Sequence, residues 1–298
     1  MILVGICTCR HPEGLAKALT VLQEQRSRRP FEVLVVDNDD AAEGRAVAEA
    51  HGASYVLERE PGIPFARNAL LREAQARDTA WLAMIDDDEQ PLPGWLDALV
   101  EAAERTGADV VGGPVVPRFA IAPRPPVKSG DFEKLRPDRI RGRVAVLSTA
   151  NLLLSRRLLT EWREPFFDAR FRFTGGSDTE FLRRTLARGF RHAFAAEARV
   201  VEDIPASRVE PDWLLRRRFR IGNTHARVCC LHAGHAAGVA RYFPHACALF
   251  LRGSLRRMLA ADPSQAFRGA RDFARARGLM AGLLGRADGE YSPERYRN

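Results

Sequence analysis

The 298-residue chain is 46% apolar, ample for a buried core, which excludes a disordered or fibrous protein. Its 46 basic and 38 acidic residues leave a formal charge of +8. The excess sits at one end: from Ser207 onward 17 arginines stand against seven acidic residues, a net +10, whereas residues 1–206 carry −2, so an anionic partner would meet the last third.

The first hundred residues alternate two periods. Residues 2–9 are a continuous apolar run of strand type, residues 14–25 repeat Leu15, Ala18, Leu19 and Leu22 at helical spacing, and residues 31–36 are a second buried strand ending at Asp37. A helix over 44–51, a short strand at 54–57, a helix over 66–76 and a buried strand at 80–85 follow, the last running into Asp86, Asp87 and Asp88. This alternation predicts a parallel sheet covered on both faces, with ligands at the carboxyl ends of its strands, where Thr8, Asp37 and Asp86 would lie. Farther on, Pro91 and Pro93 open a helix over 95–105, and a strand is expected at 108–116. Residues 114–137, rich in proline and charge, read as an irregular loop. Residues 144–154 resume a strand-like pattern, 178–189 form an amphipathic helix, 192–201 a last strand, and everything after Pro211 reads as helix.

Five cysteines, with Cys7 and Cys9 in an apolar run and Cys229 beside Cys230, do not form a disulfide framework and fit a reducing, cytoplasmic setting. The N-terminal MILVGICTCR is too short for a signal peptide, and no stretch reaches 18 apolar residues without a charge. No finger spacing, helix-turn-helix pattern or RNA-type aromatic cluster accompanies the arginines, which sets nucleic acid aside as a partner.

Three consecutive carboxylates at the end of a buried strand need a cation, protons or water, because two like charges about 4 Å apart repel by roughly 4 kcal/mol at an effective dielectric of 20. Oxygen-only ligation completed by phosphate is the habit of Mg²⁺ or Mn²⁺ on a diphosphate. An acidic turn capping the next helix is the alternative. Asp37-Asn38-Asp39 closes the second strand, where an acidic side chain can accept hydrogen bonds from a ribose or base edge, or simply form an Asx turn. There is no G-x-G-x-x-G and no P-loop lysine, which argues against dinucleotides and ATP-type phosphate cradles.

Taken in order, Thr8 and Arg10 with Pro12 and Leu15, VVDND at 35–39, PGIPFARNAL at 61–70, IDDDEQPLPGWL at 85–96 and GGSDTEFLRR at 175–184 resemble a family-2 glycosyltransferase over about residues 2–222. The resemblance implies an α/β GT-A fold, a Rossmann-like nucleotide-diphospho-sugar transferase with a mixed sheet and flanking helices, here with a C-terminal helical extension. It implies a catalytic domain over 1–206, divided into a donor half (1–113) and an acceptor half (114–206), and a basic helical extension over 207–298. It also implies inverting, non-processive transfer of one sugar from a UDP- or GDP-sugar to a glycan or lipid-linked acceptor, in polysaccharide or glycolipid assembly.

Carried over by position, Thr8 and Asp37 would hold the nucleobase with Asp39 and Arg10 close by, and Arg67 would reach the base or phosphates. Asp86 and Asp88 would form the DxD beside Asp87, Asp88 as direct ligand of Mg²⁺ or Mn²⁺ and Asp86 toward the ribose or sugar. Asn151, Gly175, Gly176 and Ser177 would line the acceptor side, although Asn151 fits equally a buried polar residue satisfied by backbone. Where the family often has Glu-Asp, this chain has Ser177-Asp178.

Asp178 matches the base, and a single displacement at an anomeric carbon independently needs a carboxylate on the face opposite the leaving diphosphate. Ser177-x-x-Glu180 also has the spacing of a capping box, so Asp178 could instead serve a helix N-terminus. Arg217, Arg218 and Arg220 would meet phosphate. Glu202 and Asp203 stand where many relatives have a metal-binding histidine, so a further metal ligand is conceivable there. His225, Cys229 and His232 share a helix face, but their spacing matches no zinc finger.

The tail interleaves arginine with large apolar residues, as either a helical cap on the catalytic domain or an amphipathic surface for an anionic membrane, which would make the protein peripheral. Two other classes compete with the transferase: a sugar nucleotidyltransferase, whose Gly-rich phosphate loop CTCRHPEG lacks, and a non-catalytic nucleotide-sugar binding module, which would tolerate loss of Asp178.

Overall fold

The computed structural model describes residues 1–128, 131–163, 165–287 and 289. They form two compact units, one from residues 1–118, 132–172 and 177–203, the other from 119–131, 173–176 and 204 onward.

The first unit opens as β1 (Ile2–Thr8), α1 (Pro12–Gln23), β2 (Phe31–Asp37), α2 (Gly44–Ala50), β3 (Ser54–Leu57), α3 (Ile63–Ala76) and β4 (Trp81–Asp86). It continues with β5 (Glu89–Pro91), α4 (Trp95–Thr106), β6 (Val110–Gly112), β7 (Val115–Phe119), β8 (Asp138–Ile140), β9 (Arg143–Ala145), β10 (Leu152–Ser155) and α5 (Arg156–Glu161). It closes with α6 (Ser177–Ala187), β11 (His192–Phe194) and β12 (Val200–Ile204). Seven strands make the main sheet in the order β11-β6-β10-β4-β1-β2-β3, and β5-β12-β7 form a small second one.

The period of two along β1 decides the layers. Ile2, Val4 and Ile6 join a core with Leu15 and Leu19 of α1 and Trp95 and Leu99 of α4. Leu3 joins the other core, with Leu70 and Ala74 of α3 and the aromatics Trp162, Phe166 and Phe181. A fully buried leucine such as Leu70 contributes about 1.5–3 kcal/mol, so this two-sided burial holds the central strands firmly.

Four strands run parallel as the alternation predicts, β3, β2, β1 and β4. The sheet is mixed because β10 runs antiparallel to both β4 and β6. Three expected strands are each split. Pro114, which has no N–H to continue a ladder, separates β6 from β7. Asn151, at φ 53, separates the strand-like stretch before it from β10. The turn around Ala195–Ala198 separates β11 from β12. The 114–137 loop carries β7 within it, and α5 falls where no helix is expected.

The second unit is built on α7 (Pro211–Ala233), α8 (His235–Met258) and α9 (Pro263–Leu283). The helices break at Gly234, with φ 86, and before Pro263, where Asp262 caps α9 by accepting from the Gln265 amide. α7 and α9 lie close: a Cβ on Gly278 would sit 2.0 Å from the Phe219 carbonyl oxygen, so only glycine permits the approach. Among the described residues no helix is long and apolar enough to cross a membrane.

Candidate functional site

Register places the candidate residues. In β1 and β2 Thr8 lies opposite Asp37, and in β1 and β4 Cys7 lies opposite Asp86, so all three strands end together at one carboxyl edge.

The two aspartates after β2 differ in what they have left to offer. Asp37 is buried, and its carboxylate accepts from the Gly44 amide at 2.9 Å, the Asp39 amide at 3.2 Å and the Tyr55 hydroxyl at 3.1 Å. Burial raises its pKa despite these bonds. Those three donors make Asp37 the anchor of the turn into α2. Asp39 is 6% exposed; its Oδ1 accepts from Arg10 Nε at 3.1 Å, while Oδ2 is buried with no hydrogen-bond partner among the described residues. An orphan carboxylate oxygen costs about 1–3 kcal/mol of desolvation unless a ligand donor meets it. Asn38, between them, donates to the carbonyls of Glu58 and Glu60 and accepts from the Gly62 amide, tying the turn to the start of α3.

Across the edge, Thr8 donates its hydroxyl to Asp87 at 2.6 Å, and His11 Nδ1 stands 3.3 Å from the other Asp87 oxygen. Asp86 keeps a half-exposed side chain 3.7 Å from the Arg67 guanidinium, which itself stacks over Phe167. Asp88 hands its backbone carbonyl to the Asp203 amide, fastening the acidic turn to β12.

Sequence reasoning missed one member of this group. Glu89 is 1% exposed, accepts from the Asp86 amide at 2.9 Å and pairs in register with Glu202. Burial first, then the charge of Asp86, pushes its carboxyl well above the usual range, opposed by Lys134. The signal was present as a fourth acid after the aspartate triplet, but nothing in the spacing said that it turns inward. Asp203, by contrast, is consumed: Arg118 forks onto it at 2.6 and 2.9 Å and holds its carboxyl below the ordinary range, and Gln90 donates to it as well. Glu202 lies 4.0 Å from Lys134.

The carboxylates of Asp86 and Asp87 gather at this edge beside Arg67 and His11. That donor set fits a hard divalent ion whose remaining ligands come from elsewhere. Among the described residues no three His, Cys, Asp or Glu side chains gather into a complete metal cage, and this includes the His225, Cys229 and His232 face.

Asp178 stands at the head of α6, its Oδ1 accepting from the Thr179 amide at 2.7 Å. β11, which follows α6, is parallel to β6, and β6 and β4 are both antiparallel to β10, so β11 has the same sense as β4, an order that is compatible with the head of α6 lying toward the carboxyl edge. Glu180, buried three residues after Ser177, accepts the fork of Arg184 at 2.6 and 2.8 Å. Ser177 is buried, and Gly175 and Gly176 hold φ of 69 and 94 in the turn before the helix.

Asn151 is fully buried. It accepts from Trp95 Nε1 at 2.7 Å and donates to the carbonyls of Pro114 and Ala198 at 2.9 and 2.6 Å, so its carboxamide ties α4 to the loops beside it. These are the bonds of a satisfied buried amide, the second of its two readings. Arg217, Arg218 and Arg220 lie on α7 in the second unit. Arg217 stacks on Trp213, and burial together with Arg271 lowers the Arg218 pKa to about 10. Asp131, paired with Arg271, is the carboxylate that opposes this shift.

Residues 3–163 match the sequence model of glycosyl transferase family 2. The succinoglycan biosynthesis protein ExoM of Rhizobium meliloti (strain 1021) is 35% identical over 238 residues, 76% of this chain and 74% of that protein. Among solved structures, a mannosyltransferase from Pyrobaculum calidifontis in complex with GDP-Man and Mn²⁺ superposes with a TM-score of 0.57 at 20% identity, over 94% of this chain and 86% of that one. S. aureus TarS 1–349 in complex with UDP gives 0.53 at 13% identity, over 98% and 97%.

Proposed function

The chain belongs to glycosyl transferase family 2, and from that premise we propose that it moves one sugar, with inversion, from a nucleoside-diphosphate sugar to an acceptor hydroxyl during polysaccharide assembly. The observation that carries this reading is the buried Asp39 Oδ2, which has no hydrogen-bond partner among the described residues, at the same sheet edge as the acidic turn of Asp86, Asp87 and Asp88. A nucleoside diphosphate with a divalent ion suits both, the base donating an N–H to Asp39 and the diphosphate sharing a cation with the acidic turn. Asp37 and Thr8 then act behind the ligand, shaping the turn and orienting Asp87, while Arg10 and Arg67 flank it.

Asp88 and Asp86 would hold Mg²⁺ or Mn²⁺, which when bound offsets charge on the departing diphosphate. Asp178 takes the acceptor proton as the hydroxyl oxygen bonds to the anomeric carbon and the bond to the diphosphate breaks, so the nucleoside diphosphate leaves from the opposite face. Residues 1–113 serve the donor and 114–206 the acceptor, with Ser177, Gly175 and Gly176 bordering the acceptor side and Asn151 supporting the scaffold beneath it. Arg217, Arg218 and Arg220 of the basic helices serve phosphate, and those helices hold the protein at a cytoplasmic membrane face beside a glycan or lipid-linked acceptor.

The test is a thermal-shift screen of UDP- and GDP-sugars with and without Mn²⁺. Stabilisation by a sugar nucleotide that grows with the metal is expected, and no stabilisation of folded protein by any of them would refute the donor site.

A further inference from the structure

α8 is apolar on two opposite sides. Tyr242, Ala246 and Leu249 face the helical core with Ala276, Leu279 and Leu283 of α9. At 100° per residue, Leu251, Leu255 and Met258 point the other way, Phe243 and the C-cap residue Leu259 fall at the two edges of that face, and all five are 46% to 82% exposed. Exposed Cys247 and Ala248 continue the strip, and no charged residue interrupts its centre. Residues 243–259 span about 24 Å of helix axis. Single exposed apolar residues are ordinary, but a contiguous strip of this length marks a contact surface.

The margins of the strip carry the charge. Arg241, Arg252 and Arg256 lie along one side and Arg257 along the other; Arg252 and Arg256 share Asp272 with ion pairs at 2.6 and 2.7 Å. One carboxylate between two guanidiniums leaves this margin cationic. A second copy of the chain docked on the same strip would bring two such margins together in a region of net +10, which like-charge repulsion opposes. A surface that offers hydrocarbon below and phosphate at its rim meets both the strip and its borders.

We propose that the outward face of α8 lies in the interface of an anionic phospholipid bilayer, with Leu251, Leu255, Met258 and Leu259 in the acyl boundary and the flanking arginines at the headgroups. The helix lies on the membrane and does not cross it. This gives a specific face to the membrane part of the reading above, and it stands or falls separately from sugar transfer because its measurement uses no nucleotide.

The test is flotation of the full chain with vesicles of phosphatidylcholine alone and of phosphatidylcholine mixed with phosphatidylglycerol. The unchanged protein should float with the anionic vesicles and much less with the neutral ones. The Leu251→Glu, Leu255→Glu double variant should lower the partition coefficient by about tenfold or more, since it removes two anchors and adds repulsion. Both sites are solvent-facing, so the unfolding midpoint should hold; the Met258→Ser, Leu259→Ser variant repeats the test without added charge. Failure of the unchanged chain to float, equal flotation with neutral vesicles, or flotation that both variants leave intact would overturn the proposal. So would self-association of the unchanged chain that these substitutions abolish without any vesicle binding, which would give the face to a second copy.

Discussion

Replacing Asp39 by alanine should move two measurements in opposite directions. The substitution removes a buried carboxylate whose Oδ2 has no partner among the described residues, relieving a desolvation cost of about 1–3 kcal/mol. It also removes the ion pair to Arg10, whose side chain is 49% exposed, and such pairs contribute only about 0–1 kcal/mol. Loss of the Asp39 charge further eases the neighbouring Asp37, whose pKa that charge helps to raise. The ligand-free protein should therefore unfold at the same temperature or a few degrees higher, at about 2–4 °C per kcal/mol for a protein of this size. Nucleotide binding should weaken, because a charge-assisted hydrogen bond to the base is lost: about 1.5–3 kcal/mol, or roughly 10- to 150-fold in Kd. Differential scanning fluorimetry without ligand and titration calorimetry with UDP and GDP read the two effects. A fall of several degrees in the unfolding temperature together with unchanged affinity for both nucleotides would show that Asp39 is only a structural carboxylate and refute the reasoning.

Asp178→Asn should cut turnover by about 10²–10⁴ while sugar-nucleotide affinity stays within a few-fold, because it removes proton acceptance and little else; turnover near that of the unchanged enzyme would rule Asp178 out as the base and favour a helix-terminus role. His192 supplies a pH test. Buried, with Nδ1 accepting from the Val146 amide and Nε2 facing the Thr185 hydroxyl, it is held neutral and its pKa falls to about 4, burial outweighing the pull of Asp109. The unfolded chain takes up this proton near pH 6.5 and the folded chain only near 4, so stability from this group is complete above about 6.5 and declines as pH falls toward 4, by up to about 3 kcal/mol. Urea melts across that window should show a shallower decline in His192→Gln than in the unchanged protein, and parallel curves would contradict the assignment.

How far the site could be read in advance depended on what each residue type leaves open. A continuous apolar strand run that ends in polar residues says where those residues stand, because in a parallel sheet every strand end with the same sense reaches one edge; Thr8, Asp37 and Asp86 are in place for that reason. Spacing says nothing of which oxygens remain available. Asp37, Asp203 and Asn151 all look like site residues along the chain, yet each is engaged by partners distant in sequence or by a local turn: Asp37 by Tyr55 and Gly44, Asp203 by Arg118, Asn151 by Trp95 and Ala198. Glu89 shows the opposite miss, an acid carried inward because β5 pairs with β12, more than a hundred residues away.

By itself, then, the order of apolar periods and polar strand ends determined the α/β alternation, the edge that carries the acids and the basic character of the last third, all of which follow from local spacing and composition. Tertiary structure alone decided that β10 enters antiparallel, that Asp39 and not Asp37 keeps an open oxygen, and that α8 turns one of its two apolar sides to solvent. The physical reason is the same in each case. Strand sense, hydrogen-bond satisfaction and burial are properties of pairs, and the second member of each pair lies too far along the chain for any local pattern to name it.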